Sequence, residues 1–539
     1  MNNHTPFALE SRMAGVTVNL DALIPREDFE SDGGTAGGRL RDTISLSDLE
    51  ESGFFHPLLR KPDFQRETTH WKPEVVRDLV KAYLDGHLIP AVILWQSGDR
   101  CFVIDGAHRL SALIAWTRDD YGDGEASNAK FGRGLSQEQR RVADRTRSLI
   151  RKEIGSYAEF KGLRGQDIAD PQKARWVKRI GAGAVEIQWV TATTSQAAED
   201  SFFKINQAAQ PIDPTERRIL QTRRSPNSVA ARCIARGGRG HKYWGEFEPQ
   251  IQESIEALGD EISKILYEPP HKQPITSTDV PIAGQGYNAL PFVFELVSIC
   301  NGIPIPTSAT AKKLPPPLPE DLDGSETLTL MRSVRKSLGI LSTNDSGSLG
   351  LHPLIYCYSS TGSFQANAFL ATLRFAERLD ERKKKKEFTS VRKDMELFLL
   401  LNRKFVSLTV NRLGAGARSL ERIVDLYWEV FQLCLAGKRA EEILSELIKK
   451  SEFSHLRQFE VPSPGAENAP SKNGASASSK SASFIQKAMT TPLRCPECGA
   501  ALHANSMTFD HRQRRADGGS NRSDNLDPMH PFCNSGVKA

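Results

Sequence analysis

The sequence predicts a multidomain α+β protein, and three observations support this prediction. The chain has 539 residues, and at such a length one hydrophobic core usually gives way to several domains. Strand and helix patterns alternate in the front part, between residues 71 and 192. A mostly helical pattern follows from residue 226 to residue 459, and a short tail rich in cysteine and histidine comes last.

The composition favours a soluble, cytoplasmic protein. Hydrophobic residues make up 39% of the chain, and the formal net charge is a weak +5. Local basic patches matter more than this sum for nucleic-acid binding. The first residues lack a basic region followed by an apolar run, so no secretory signal is expected. The most apolar run, MELFLLL from Met395 to Leu401, is too short for a membrane span.

A helix and two strands are predicted in the front part, after an N-terminal extension at residues 1–53. WKPEVVRDLVKAYLDG, from Trp71 to Gly86, predicts a helix that ends at the glycine. Its apolar stripe is expected to contain Val75, Leu79 and Tyr83. LIPAVILW (88–95) and CFVIDG (101–106) predict strands, and HRLSALIAW predicts a helix directly after the second strand.

Further elements follow along the chain. Residues 136–154 predict a charged helix, and residues 184–192 predict a strand. A helical domain is expected at residues 224–460, interrupted by a proline-rich loop at residues 303–324. The run ERKKKKE, residues 381–387, is typical of a solvated helix face, and a phosphate-facing patch is the alternative.

Residues 461–485 are predicted to be a flexible linker. VPSPGAENAPSKNGASASSKSAS contains almost no large apolar residue, so it cannot bury enough surface to offset the entropy lost on ordering. The linker would make residues 486–539 a separate tail domain.

The tail contains three of the eight cysteines. Cys495 and Cys498 form a C-x-x-C pair, and His530 with Cys533 forms an H-x-x-C pair. Two close pairs of nitrogen and sulfur ligands suit a closed tetrahedral zinc site. A tail with so few large apolar side chains needs such a cross-link, so the zinc is expected to be structural. Reduced cysteines without a ligand are the alternative.

Polar residues between and after these pairs suggest a hydrolytic centre. Asp510 and His511 are adjacent, Asn525 follows, and Asn534 comes directly after the last cysteine. Together with the two zinc pairs, these residues resemble the HNH endonuclease family and its ββα-metal fold, which carries such a pair, a central Asn and a final Asn or His. The resemblance covers residues 492–538.

The resemblance implies metal-dependent hydrolysis of phosphodiesters. His511 would be the general base, and Asp510 with Asn534 would hold Mg²⁺ or Mn²⁺, which prefer oxygen ligands. Asn525 would brace the loop that orients His511. Phosphate contacts are expected from arginines of this loop: Arg512, Arg514, Arg515 and Arg522.

Two features depart from the family pattern. His530 stands where many relatives have cysteine, and zinc accepts either ligand. The last helix, expected from about Pro528, is short, contains Gly536 and carries Asn534.

The segment VIDGAHRLSAL, from Val103 to Leu113, joins a strand to a helix by a tight turn. Gly106 allows close approach of backbone to a ligand. The helix N-terminus attracts anions, and Arg109 can pair with a phosphate. An ordinary structural turn is the alternative.

Two further stretches extend this motif: QR…W from Gln65 to Trp71, and F-x-x-I-N-x-x-x-x-P-I from Phe202. Together they resemble the DGQQR (GmrS-type) family and its ParB/sulfiredoxin-like α/β fold, here over a domain at residues 54–223. The resemblance implies binding or hydrolysis of a nucleoside triphosphate and control of a nuclease. The implied pocket residues are Arg66, Asp105, Gly106, His108, Arg109 and Asn206.

Ala107 and His108 replace the two glutamines of the family motif, which puts nucleotide hydrolysis in doubt. Such domains commonly accompany HNH nucleases in modification-dependent restriction enzymes and other anti-phage systems. The hypothesis is therefore a gated, metal-dependent nuclease that cuts phage or modified DNA, with homo-oligomerisation left open. The alternatives are a non-catalytic zinc-finger DNA-binding regulator with a ParB-like clamp, and an RNA-directed HNH nuclease.

Overall fold

The computed structural model divides the chain into two compact units, Met1–Gln221 with Arg239–Lys242 and Thr222–Gly238 with Tyr243–Ala539. The residues that it describes are 17–27, 41–62, 68, 71–131, 135, 137–191, 197–199, 201, 214–239, 241–284, 289–306, 315–414, 416–459 and 475–537. Two predicted pocket residues, Arg66 and Asn206, lie outside them.

Among the described residues of the first unit, six strands form one mixed sheet. They are β1 (Arg26–Glu27), β2 (Thr43–Ser45), β3 (Leu59–Pro62), β4 (Val92–Ser97), β5 (Arg100–Asp105) and β6 (Ala184–Trp189). Their order across the sheet is β1-β3-β5-β4-β6-β2. β4 and β5 form an antiparallel hairpin, while β3 runs parallel to β5 and β6 runs parallel to β4. The central strand β5 is buried from Cys101 to Ile104, as expected for a strand covered on both faces.

The described part of the first unit also contains eight helices. They are α1 (Leu46–Leu49), α2 (Pro73–Asp85), α3 (Ala107–Arg118), α4 (Glu125–Phe131), α5 (Gln137–Glu153), α6 (Tyr157–Gly162), α7 (Pro171–Ala182) and α8 (Pro214–Gln221). Helix α3 follows β5 directly and is buried from Leu110 to Trp116. The turn at Gly106 therefore lies directly between the buried strand β5 and the buried helix α3.

The predicted elements of the front part are confirmed, with shifted ends. Helix α2 ends at Gly86, which adopts a left-handed φ of 75° at no steric cost. Strand β4 begins at Val92 rather than Leu88, after Pro90, which has no N–H for the ladder. The expected charged helix is α5, and the expected later strand is β6. The ParB/sulfiredoxin-like fold stays a prediction.

The predicted apolar stripe of α2 is partly wrong. Val75 is 40% exposed, whereas Val76 and Val80 are fully buried together with Tyr83. Spacings of three and four residues fit either valine, and the position of the sheet decides which one turns inward.

The second unit is mostly helical. Its described helices are α9 (Pro226–Arg236), α10 (Pro249–Tyr267), α11 (Ala289–Cys300), α12 (Ser325–Leu341), α13 (Pro353–Tyr356), α14 (Ala366–Glu381), α15 (Lys385–Leu401), α16 (Phe405–Leu413), α17 (Ala417–Leu435), α18 (Ala440–Leu447) and α19 (Ala477–Ala488). Aromatic rings pack edge to face in its core, with Phe388 between Phe375 and Phe431. Within the described part of the chain, no helix combines the length and apolarity needed to cross a membrane.

Helix α19 corrects the linker that the sequence predicts at residues 461–485. Residues 477–485 are helical, and residues 461–474 lie outside the described part of the chain. The Ser476 side chain accepts a hydrogen bond from Ser479 N and caps the helix. Ile485 is buried, and Ser481 Oγ accepts a hydrogen bond of 2.8 Å from Ile275 N. One apolar anchor and these polar contacts order a segment that its composition alone leaves flexible.

The tail forms an antiparallel hairpin of β7 (Thr508–His511) and β8 (Leu526–Met529), followed by a π-helical turn at Cys533–Val537. The expected start of the last helix near Pro528 is wrong, because Pro528 lies in β8 opposite Phe509. A two-stranded ribbon leaves one edge of each strand unpaired, and proline is tolerated there. The tail belongs to the same compact unit as the helical region, and the predicted domain boundary at residue 486 stays a prediction.

Candidate functional site

The four predicted zinc ligands come together in the tail. The ligand atoms of Cys495, Cys498, His530 and Cys533 all lie within 4.8 Å of one another, and all four residues are buried. Nδ1 of His530 is 3.4 Å from Sγ of Cys498 and 3.9 Å from Sγ of Cys533. Tetrahedral zinc with its usual bond lengths separates such atoms by roughly 3.5–3.8 Å. The cluster therefore has the dimensions of a closed zinc site.

His530 is held in the form that binds metal. Its Nε2 lies 3.1 Å from the carbonyl oxygen of Ala501, so Nε2 carries the proton and donates it to that oxygen. The lone pair of Nδ1 then faces the sulfur atoms. Burial, and then the charge of Arg392, lower the pKa of His530. Both effects keep the imidazole neutral, as a ligand must be.

The three thiols of the cluster shift one another's pKa values. Hydrogen bonds from Cys498 and then Cys533 lower the pKa of the Cys495 thiol. The same contacts raise the pKa of Cys533, and the bond to Cys495 raises that of Cys498 to about 11. A divalent metal bound by these three cysteines would displace their protons. This donor set fits structural zinc, which would contribute folding energy to the tail.

The helical region supports this cluster through a buried charged pair. Arg392 Nε donates to Glu396 Oε1 at 2.7 Å, and both side chains are 2% exposed. The other oxygen of Glu396 accepts a hydrogen bond of 3.2 Å from Ala501 N, the residue whose carbonyl orients His530. Three thiolates around Zn²⁺ leave a net negative charge, which the guanidinium beside Cys498 offsets. This pair was not predicted from the sequence, although the i, i+4 spacing within an apolar helix is a detectable signal.

The predicted nuclease residues lie on the hairpin and the turn that follows it. His511 ends β7, and its Nε2 is 2.9 Å from Oδ1 of Asn521. Thr508 and Asp510 are two positions apart in β7 and so share one face of the hairpin. Asn534 donates from Nδ2 to Thr508 Oγ1 at 3.2 Å. Asn534 therefore lies over the face of β7 that carries Asp510. Asn521 was not anticipated from the sequence.

Asn525 closes the loop between the two strands. Its Nδ2 donates to the carbonyl oxygens of Gln513 at 3.1 Å and Ser520 at 2.7 Å. Its Oδ1 accepts a bond of 2.8 Å from Gln513 N, and its carbonyl accepts one of 2.9 Å from Arg512 N. These bonds tie both ends of the loop together directly after His511. The geometry is that of a brace for the loop, and the expected role of Asn525 in orienting His511 stays a prediction.

Replacing Asn525 with alanine is expected to free the loop, because the variant removes three side-chain hydrogen bonds. Hydrogen exchange at the Gln513 amide should accelerate in this variant. Asp524→Ala is the matched control, because Asp524 is an exposed loop neighbour. Equal exchange rates for the two variants would contradict the bracing role.

The loop arginines differ in their surroundings. Arg512 forms a two-pronged ion pair with Asp527 at 2.7–3.0 Å across the hairpin, so its guanidinium already has an anionic partner. Arg514, Arg515 and Arg522 are exposed. Arg522 Nε lies 3.9 Å from Asp524, so the expectation of phosphate contacts is best carried by Arg514 and Arg515.

The front motif lies where β5 meets α3. Gly106 caps α3 with a left-handed φ of 95°, and a Cβ there would lie 2.7 Å from Val92. Arg109 donates from one NH₂ group to Asp105 at 2.6 Å and to the carbonyl of Ala91 at 3.2 Å. The His108 ring centroid is 5.5 Å from that of Trp71.

Four of the six predicted pocket residues thus cluster at the N-terminus of α3: Asp105, Gly106, His108 and Arg109. The other two lie outside the described residues.

The tail combines a β-hairpin and a helical turn with a Cys/His cluster that could hold a metal ion. Residues 495–539 match the HNH endonuclease family, and residues 45–221 match the N-terminal domain of the GmrSD restriction endonuclease family. Neither the curated proteins nor the solved structures returned a match. The two resemblances inferred from the sequence are confirmed. The chain therefore combines a GmrSD-type N-terminal domain with a C-terminal HNH endonuclease domain.

Proposed function

We propose that the protein is a metal-dependent DNA endonuclease of anti-phage defence, which acts in the cytoplasm and is gated by its N-terminal domain. The observation that carries this proposal is in the tail, where Asn534 donates a hydrogen bond to Thr508, two positions before Asp510 in β7. His511 ends the same strand, and these residues lie within the segment that matches HNH endonucleases.

His511 is suited to take a proton from the attacking water. Its Nε2 is bonded to the amide oxygen of Asn521, so Nε2 carries the hydrogen and Nδ1 offers the lone pair. The water loses its proton to Nδ1 as its oxygen attacks phosphorus. Asn521 then stabilises the imidazolium that forms, much as an orienting group does in other acid–base pairs.

Asp510 and Asn534 offer two oxygen ligands that suit Mg²⁺ or Mn²⁺. A cation bound there would stabilise negative charge on the pentacovalent phosphorus and on the leaving oxygen. Asn525 keeps the loop after His511 in place, and the exposed loop arginines contact the backbone on either side of the cut.

The proposed gate is the N-terminal domain. An ungated nuclease would cut the DNA of its own cell, so activity must depend on a second state with a different affinity for some ligand. Gly106, Arg109 and the N-terminus of α3 form a turn suited to an anionic ligand. We propose a nucleoside triphosphate or a DNA modification as the signal, with the pocket completed by Arg66 and Asn206.

The test is cleavage of modified and unmodified phage DNA by the full chain with Mg²⁺ or Mn²⁺, each with and without nucleotides. Arg109→Ala is expected to weaken nucleotide binding by about 10- to 100-fold, because it removes a charged hydrogen-bond donor. Arg145→Ala, which removes an exposed arginine paired with Glu74, should bind like the wild type. Cleavage that ignores both nucleotide and modification would contradict the gate.

A further inference from the structure

A loop of the helical region forms hydrogen bonds with the segment that carries Asn534. This loop, residues 343–350, joins α12 to α13. The carbonyl of Ser348 accepts a hydrogen bond of 3.0 Å from Phe532 N, and the carbonyl of Ser346 accepts one of 2.6 Å from Ser535 Oγ. Phe532 and Ser535 flank Asn534 in the chain. The loop therefore fixes the backbone on both sides of the proposed metal ligand.

Loop 343–350 is itself held firmly. Ser348 is fully buried, and its Oγ accepts hydrogen bonds of 3.0 Å from Thr343 N and 3.3 Å from Gly350 N. Arg392 donates to the carbonyls of Leu349 and Gly350 at 2.5 and 2.9 Å. The buried guanidinium of Arg392 and the hydroxyl of Ser348 thus satisfy polar groups of the loop and keep the loop ordered.

Lys385 joins this loop to the helical turn of the tail. Its Nζ donates to Gly347 O at 3.4 Å, pairs with Asp380 at 2.7 Å and lies 5.0 Å from the ring centroid of Phe532. Its side chain is only 16% exposed. The solvated face predicted for residues 381–387 therefore fits the exposed Lys386 but is wrong for Lys385.

We propose that Lys385 is a positioning residue for Asn534, and that it acts through Phe532 and loop 343–350. The inference rests on the proposed role of Asn534 as a metal ligand. The segment 531–537 makes only about two turns and contains Gly536, and so short a helix is unstable by itself in water. The ring of Phe532 attracts the ammonium group of Lys385. This contact and the two hydrogen bonds that the segment donates to the loop stabilise the short helix.

The test compares Lys385→Met with Lys386→Met, which removes the same charge from an exposed neighbour. Lys385→Met is expected to raise the Mg²⁺ concentration for half-maximal cleavage about tenfold, the effect typical of lost outer-shell support. Lys386→Met and the conservative Lys385→Arg should stay within about twofold of the wild type. DNA affinity should be equal in the two methionine variants. Equal Mg²⁺ shifts in both would assign the effect to charge alone and overturn the proposal.

Hydrogen exchange of the segment 531–537 gives a second readout that needs no cleavage. The Asn534 amide donates to the carbonyl of His530 at 3.0 Å, and its exchange should accelerate in Lys385→Met but not in Lys386→Met. Unchanged exchange in both variants would overturn the positioning role. A wild type that cuts no DNA would instead overturn the proposed function, while the exchange rates still decide whether Lys385 holds the segment.

Discussion

Replacing His511 with alanine is expected to slow DNA cleavage by about 10²- to 10⁴-fold, the usual contribution of a positioned general base. His511 ends β7 with Nε2 bonded to Asn521, so the variant removes the nitrogen that is proposed to accept a proton from water. The side chain is partly exposed, and its loss should leave the fold and the zinc content unchanged. The measurement is single-turnover cleavage of a supercoiled plasmid at saturating Mg²⁺.

His87→Ala is the matched control for this variant, because His87 is an exposed histidine of the other unit. Its cleavage rate should equal that of the wild type. Equal rates for His511→Ala and His87→Ala would contradict the assignment of His511 as the base.

Replacing Cys498 with alanine is expected to remove the bound zinc and to abolish cleavage. Zinc sites of this kind contribute on the order of 10–16 kcal/mol to folding. The buried apolar residues beside the cysteines are few: Ala500, Leu502 and Met529. Without zinc, no metal joins His530 and Cys533 to the first cysteine pair. The turn that carries Asn534 then loses this cross-link. Metal analysis should find one zinc per wild-type chain and none in the variant.

Cys434→Ala is the control for the zinc site, since Cys434 is buried in α17, outside the cluster. It should retain both zinc and activity. A wild-type protein that is folded and active after complete removal of zinc would contradict the structural role of the metal.

The zinc ligands and the residues of the hairpin were predictable because their chemistry depends on residue type and short spacing. Two pairs of ligands, separated by two residues in each pair, limit the geometry to a small site. The roles of the hairpin residues follow instead from the resemblance to HNH endonucleases, and these roles stay predictions. The structure brings His511, Asn525 and Asn534 into one hairpin and turn, as the pattern suggests.

Contacts between distant parts of the chain were not predictable. Short strands such as β1 and β2 have only two or three residues, too few for periodicity to register. The order in α19 depends on Ile275, about 200 residues away. Loop 343–350 contains mainly serine, glycine and asparagine, which predict a turn and not a support for another segment. These features depend on tertiary packing, which a single sequence does not reveal.

The most direct test of the account is cleavage by the full chain of duplex DNA beside RNA of the same sequence, with Mg²⁺ or EDTA, and with Asp510→Ala in parallel. The account predicts that DNA is cut, that EDTA stops the cutting, and that Asp510→Ala loses most of the activity at a given Mg²⁺ concentration. Cutting of RNA alone, or cutting of DNA that neither EDTA nor Asp510→Ala reduces, would contradict the proposal that the hairpin of the tail is a metal-dependent DNA-cleaving site.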